Sequence, residues 1–134
     1  MLKQTIKIPC SLKEIIKIIE SNGFQGFIVG GCVRDILIGI QPKDWDIATN
    51  ALPCQIKEIF KDNKQFNIFD IGEIYGTLGL FDRVYKVMFE ITTYRIDDKY
   101  NDFRRPSNVK FTTSLKQDLN RRDFTINALA AKIC

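Results

Sequence analysis

Apolar residues recur at helical spacing early in the chain, where Ile15, Ile16, Ile18 and Ile19 follow Ser11 and Glu14 and Gly23 closes the run. Ser11 placed three residues before Glu14 is a capping-box pattern, which predicts a helix starting at Ser11 and stopping at Gly23. Phe27-Ile28-Val29 is a short apolar run ended by Gly30-Gly31 and predicts a buried strand. Residues 32–38 then predict a helix stopped by Gly39, and residues 45–48 a second strand. Pro53 opens a further helix through Phe60. Residues 75–81 and 85–93 are rich in β-formers and joined by Asp82-Arg83, the pattern of a hairpin. Residues 97–108 are polar, contain Pro106 and predict an exposed loop. Ser114 with Gln117 is a second capping box, and Asp123 is placed to cap a final helix through residue 131. Helices and strands are mixed and a hairpin is present, so the expected class is α/β with a mixed sheet.

Composition narrows the chemistry. A chain of 134 residues that is 45% hydrophobic and 27% charged has the size and balance of one folded domain. No apolar run reaches the ~18–20 residues of a membrane span, and Lys3 and Lys7 put charge where a leader would be apolar. A cytosolic protein is the expectation. Histidine is absent, which excludes Ser-His-Asp and Cys-His nucleophiles, His-based acid–base catalysis and Cys2His2 zinc sites. The four cysteines, Cys10, Cys32, Cys54 and Cys134, form no Cys-x-x-Cys pair and read as scattered reduced thiols. The net charge of +4 is mild, but five of the seven arginines fall at or beyond Arg95. Arginine forks suit phosphate, while a solvated basic surface explains the same count.

Three segments carry candidate chemistry. Gly30-Gly31-Cys32-Val33-Arg34-Asp35 joins a strand to a helix, where glycines allow close backbone approach and free N–H groups suit an anion. It matches neither the dinucleotide nor the Walker spacing, and a tight turn without a ligand accounts for it equally well. Asp44-Trp45-Asp46 follows, with Asp44 thirteen residues beyond Gly31. If all three lie in a strand, the two carboxylates share one face roughly 7 Å apart at Cα and Trp45 points into the core. Paired carboxylates suit Mg²⁺, whose shell is completed by water and substrate phosphates. A polar turn at a strand start is the plainer alternative. Arg121-Arg122-Asp123-Phe124-Thr125-Ile126-Asn127 puts two arginines at a helix mouth and sets Asp123 and Asn127 on one helical face. A capped surface helix with solvated arginines fits that segment too.

Taken together, these residues resemble the catalytic head of the class II tRNA nucleotidyltransferases (CCA-adding enzymes) and the related bacterial poly(A) polymerases. The resemblance runs in order through Gly30 to Asp35, Asp44 to Thr49, Tyr75-Gly76-Thr77, Glu90 to Arg95, Tyr100 to Pro106 and Arg121 to Ala128. It implies a polymerase-β-like nucleotidyltransferase fold, with a mixed sheet of about five strands packed with helices. It implies Asp44 and Asp46 as Mg²⁺ ligands and Glu90 as a third strand carboxylate near them. Gly31 and Arg34, supported by Gly30, and Arg122, with Arg121 beside it, would contact the triphosphate. Asp123 and Asn127 would lie near the ribose and triphosphate. The implied activity is metal-dependent, template-independent addition of CMP and AMP from CTP and ATP to an RNA 3′ end, tRNA above all. A poly(A) polymerase head is the near alternative, and a non-catalytic nucleotide- or RNA-binding module the distant one. In that family a neck, body and tail follow the head, and the neck reads the base. The expectation here is a head alone over residues 1–134, either a fragment of a longer enzyme or a minimal enzyme completed by a second copy or by a separate helical RNA-binding chain.

Overall fold

The computed structural model describes residues 7–97, 109–120 and 130–131. Its first helix, α1 (Cys10–Ser21), buries Leu12, Ile15, Ile16 and Ile19, the i, i+3, i+4, i+7 stripe of a helix laid against a core. The capping box expected at Ser11 is absent. Pro9, with φ −56°, is the N-cap residue, so the helix begins one residue early and Ser11 lies inside its first turn with its hydroxyl buried. Gly23 closes the helix as expected, adopting φ +88° beyond the C-cap.

The next elements follow the sequence closely. They are β1 (Gly26–Val29), α2 (Gly31–Leu37), β2 (Trp45–Thr49) and α3 (Pro53–Phe60). Pro53 at the first helical position and Gln55 Oε1, which accepts from Leu52 N at 2.8 Å, fix the start of α3. Then comes β3 (Phe66–Gly72), which the sequence reading did not single out, and a 3-10 turn, Glu73–Tyr75. The expected hairpin is β4 (Thr77–Asp82) with β5 (Val87–Thr93). Its connection is longer than Asp82-Arg83: residues 83–86 turn over the Asp82 carboxylate, whose Oδ1 accepts from Val84 N at 2.9 Å and Tyr85 N at 3.2 Å.

Beyond β5, β6 (Arg95–Asp97) pairs antiparallel with β7 (Val109–Phe111). The expected loop is therefore strand at Asp97, and the remainder of it, 98–108, lies outside the described residues. In α4 (Leu115–Asn120) Ser114 Oγ accepts from Gln117 N at 3.3 Å. The other half of the capping box is missing, because the Gln117 side chain accepts from the Thr112 hydroxyl instead. The final helix was expected to reach residue 131. Ala130–Ala131 is instead a short strand, β8, whose pairing with Ile28 and Val29 satisfies the outer edge of β1.

Among the described residues six strands form the main sheet, in the order β3-β4-β5-β2-β1-β8, where about five were expected. Of these, β2 and β5 run parallel and the other neighbouring pairs antiparallel. One face carries Trp45, Ile47, Leu78, Leu80, Phe89 and Ile91, all buried beneath α1 and α3. Phe60 and Phe66 meet edge to face, ring centroids 5.9 Å apart, where α3 turns into β3. A smaller core of Val29, Ala48 and Tyr94, flanked by Phe27 and Leu115, lies apart from the main one.

Two predictions follow from the packing. Gly76 has φ +89°, and a Cβ there would lie 2.7 Å from the Phe111 ring, whereas Gly23 has almost the same φ and open space. Gly23→Ala should cost about 1–2 kcal/mol for the left-handed backbone. Gly76→Ala should cost about 1 kcal/mol more for the displaced ring. Urea unfolding checks this, and equal losses would remove the Phe111 contact from the account.

The second concerns the turn at Asp82, whose side chain is fully buried. Burial works against ionisation there, but the Tyr85 and Val84 N–H groups, with Ser11 and Gln65 beside them, outweigh it and hold the carboxyl below its ordinary value. Ser11 acts by proximity, since its Oγ and Asp82 Oδ2 lack a well-aligned hydrogen bond. A lowered folded-state pKa means the stabilisation is complete above the ordinary carboxylate value and is lost as pH falls through the lowered one. The acid limb of stability against pH should therefore flatten in Asp82→Asn. An unchanged limb would show that other carboxylates control acid unfolding.

Candidate functional site

The site forms where β1 hands over to α2. Gly30 adopts φ +76°, a conformation only glycine takes without strain, and so turns the chain from strand into helix. A Cβ on Gly30 would sit 3.4 Å from Asp46 Oδ2, in ordinary contact with it, so the carboxylate lies directly against the turn. Val29 and Asp46 are register partners in the antiparallel β1–β2 pair, which brings Asp46 alongside this turn.

A cleft of about 300 Å³ opens here, lined by Gly31, Arg34, Asp44, Asp46, Cys32 and Lys43 among others. Four of the expected residues, Gly31, Arg34, Asp44 and Asp46, are thus brought together, with Gly30 against Asp46. One detail of the geometry is corrected. Asp44 lies in the bend before β2, so the spacing of alternate strand residues does not apply to it. The two carboxylates line the same cleft, with Asp44 exposed and Asp46 half-buried.

Glu90 arrives from another strand. It is the register partner of Asp46 in the parallel β2–β5 pair, so the two acids stand side by side on one face of the sheet. Glu90 is exposed and does not line the cleft. The Arg34 guanidinium, 42% exposed, reaches Asp35 Oδ1 at 3.3 Å. It also lies near Gly31, where an added Cβ would be 3.3 Å from Nη2. Arg121, Arg122, Asp123 and Asn127 lie outside the described residues.

Lys43 and Cys32 were not among the site residues expected. Lys43 had a signal, since it immediately precedes Asp44 and puts a cation in the same bend. Cys32 had none beyond its place in the glycine turn. Its thiol donates to Val29 O at 3.1 Å and is almost fully buried. Burial pushes its pKa up; the Asp46 backbone N–H opposes the rise, and the Asp46 charge adds to it. The site therefore keeps a neutral thiol beside a carboxylate, not a nucleophilic thiolate.

Chemically the arrangement offers oxygen donors for a hard cation. Two carboxylates in one cleft, with room for water and phosphate oxygens, match what Mg²⁺ takes from a protein. Among the described residues no cluster of three or more ligating side chains would form a closed protein cage. Among them, too, no helix is long and apolar enough to cross a membrane.

Comparison with known proteins places the chain in a family. A family model described as the poly A polymerase head domain matches residues 26–134. The CCA-adding enzyme of Lactiplantibacillus plantarum is 48% identical over 118 residues, covering 88% of this chain and 27% of that protein. The CCA-adding enzyme of Enterococcus faecalis is 46% identical over 126 residues, covering 92% of this chain and 29% of its own. Among solved structures, the Bacillus stearothermophilus CCA-adding enzyme in complex with CTP superposes with a TM-score of 0.74 at 34% identity, over 92% of this chain and 28% of that one. A tRNA nucleotidyltransferase complexed with a primer tRNA and an incoming ATP analog superposes with a TM-score of 0.60 at 32% identity, over 87% of this chain and 30% of that one. The chain spans less than a third of the length of each of these relatives.

The state of Cys32 is open to a direct check. Cys10 and Cys54 are exposed, while Cys32 is buried with a raised pKa. Iodoacetamide at mildly alkaline pH should modify Cys10 and Cys54 at least about tenfold faster than Cys32, read by peptide mass spectrometry. Comparable rates would mean that the thiol is reachable from the cleft and ionises readily.

Proposed function

The chain belongs to the poly(A) polymerase head-domain family, and we propose that it is the catalytic head of an RNA nucleotidyltransferase of the CCA-adding type. It would transfer CMP and AMP from CTP and ATP to the 3′ end of an RNA, with tRNA as the main substrate, and release pyrophosphate. The observation that supports this best is the meeting of Asp44 and Asp46 with Gly31 and Arg34 in one cleft. A module that only bound nucleotide would not need both carboxylates there.

Asp44 and Asp46 are the residues that would hold Mg²⁺, which when bound lowers the pKa of an attacking hydroxyl and offsets charge on a leaving group. The chain's own part is positioning. The Gly30-Gly31 turn gives the triphosphate close access to backbone, and Arg34 supplies a guanidinium fork for its oxygens. Arg122, with Arg121 beside it, is assigned to the same triphosphate, and Asp123 and Asn127 to the ribose. Glu90 adds a third carboxylate beside Asp46, on the side from which the RNA 3′-hydroxyl would approach. That hydroxyl forms a bond to the α-phosphorus as the bond to the pyrophosphate oxygen breaks. Catalysis then rests on alignment and fixed charge more than on covalent chemistry. We assign the chain to the cytosol, where nucleoside triphosphates and tRNA are found.

The family model takes its description from poly(A) polymerases, so addition of AMP alone is the second reading. A tRNA transcript lacking its CCA end, incubated with each nucleoside triphosphate and Mg²⁺, separates the two. CCA addition predicts incorporation from CTP first and from ATP once the two cytidines are in place. Poly(A) addition predicts ATP alone.

The carboxylate pair is tested in the same assay. Asp46→Asn should lower transfer by roughly a thousandfold or more, because an amide oxygen holds Mg²⁺ far more weakly than a carboxylate. Thermal unfolding should change little, since Asp46 faces the cleft rather than the main core. Turnover within tenfold of wild type, with Mg²⁺ as the sole divalent ion, would reject the assignment.

A further inference from the structure

The acids of the site stand at one end of a row that continues across the sheet. Asp46 pairs with Glu90, Glu90 with Gly79 and Gly79 with Phe69, so strands β2, β5, β4 and β3 contribute one residue each to the same face. At Gly79 the row has no side chain, and Phe69 covers the gap. A Cβ on Gly79 would lie 2.5 Å from two carbons of the Phe69 ring. The ring therefore lies down over the strand instead of standing up from it. Neighbouring strands are about 4.8 Å apart, which puts Phe69 three strand spacings, roughly 14 Å, from Asp46 at Cα.

The row beside it adds to this face. Asn67, Phe81 and Met88 are register partners, two residues along the strands from Phe69, Gly79 and Glu90. Phe81 is half-buried and Met88 is 43% exposed. Asn67 Oδ1 accepts from Arg83 Nη2 at 3.2 Å, and Lys64 O accepts from Arg83 Nη1 at 3.2 Å. This fixes a guanidinium at the far end of the aromatic pair. An open antiparallel face with half-buried aromatics and a cation at its border has the composition of a single-strand nucleic-acid platform: π-faces for bases and a charge for the backbone.

We infer that this face binds the single-stranded 3′ end of the RNA, with a base one or two nucleotides back from the terminus stacked on Phe69 and an upstream phosphate paired to Arg83. The inference rests on the nucleotidyltransferase reading, because the position of the platform relative to the carboxylates is what orients the strand. With the 3′-hydroxyl near Asp46 and Glu90, the last one or two nucleotides span the distance back to Phe69. A nucleoside triphosphate held by the glycine turn and Arg34 approaches from the opposite side of Asp46 and does not compete for the ring.

The test uses a short fluorescein-labelled single-stranded RNA ending in two cytidines, titrated with the chain in Mg²⁺ and read by anisotropy. Phe69→Leu retains an apolar cover on Gly79 and should weaken RNA binding about tenfold, with CTP affinity unchanged within about twofold. Phe69→Trp should retain binding, and RNA, but not CTP alone, should quench its emission. Trp45 in the wild-type chain is buried and supplies the unquenched control. Arg83→Gln should lower the slope of log affinity against log salt by about 0.7, the value for one phosphate on a single strand. Equal RNA affinity in wild type and Phe69→Leu, or no quenching in Phe69→Trp, would overturn the platform. That result would leave the nucleotidyltransferase reading standing if transfer persists. Stacking on Phe69 without any transfer by the wild-type chain would reject the enzyme reading and retain an RNA-binding face.

Discussion

The parallel pairing of β2 with β5 is the constraint on which the rest of the structure depends. Side chains alternate along each strand, so this one register decides which residues meet on each face. It puts Trp45 beside Phe89 and Ile47 beside Ile91 on the face that α1 and α3 cover. The same register puts Asp46 beside Glu90 on the other face. A slip of one residue by either strand would carry its carboxylate, Asp46 or Glu90, into an apolar core, where an unpaired charge is very costly to bury. The hydrophobic pattern that drives folding therefore also holds the acidic pair in place. A parallel pair needs a long crossover, and here α3, β3 and β4 provide it before the chain returns as β5.

Glycines supply what the strands cannot. Gly30 lets β1 turn into α2 against the Asp46 carboxylate, through a φ of +76° that other residues adopt only with strain. The buried Cys32 thiol packs behind the turn and bonds back to Val29 O, tying the first turn of α2 to the strand it leaves. Neutral and raised in pKa, it adds no negative charge to a site that already has two carboxylates. The turn is thus fixed by backbone conformation and packing, with Gly30 O accepting from Val33 N and Arg34 N.

Much of this was legible in the sequence wherever a local rule applied. Gly23, Gly39 and Pro53 marked helix ends because φ preference is a property of the residue itself. Asp44 and Asp46 were legible as a pair, but their spacing was not, because the strand begins only at Trp45. Local rules failed where tertiary contacts prevailed. Ser11 has the sequence of a cap, yet Pro9 starts the helix first and Ser11 is carried inward beside Asp82. Ala130 and Ala131 favour helix in isolation and become strand because β1 offers an unpaired edge. β3 alternates only loosely and is an edge strand, so its pattern is weak. Glu90 came from family resemblance alone, since no spacing rule reveals which residue of β5 will face Asp46.

The two halves of the outer face differ, and that difference explains where the chemistry sits. Over β1 and β2 the face is closed by Val29, Ala48, Tyr94, Phe27 and Leu115. Tyr94 is fully buried, its hydroxyl donating to Gln25 Oε1 at 3.2 Å, and burial together with the charge of Asp118 holds that hydroxyl in its neutral form. Over β5 the same face has Glu90 and Met88 exposed. Asp46 lies at the boundary. A carboxylate deep under the closed half would lose its solvation and resist ionising, while one on the open half alone would have no rigid wall to aim it. At the boundary it is half-buried, with the glycine turn against it. A ligating group needs both properties: it must be held still, and it must remain charged.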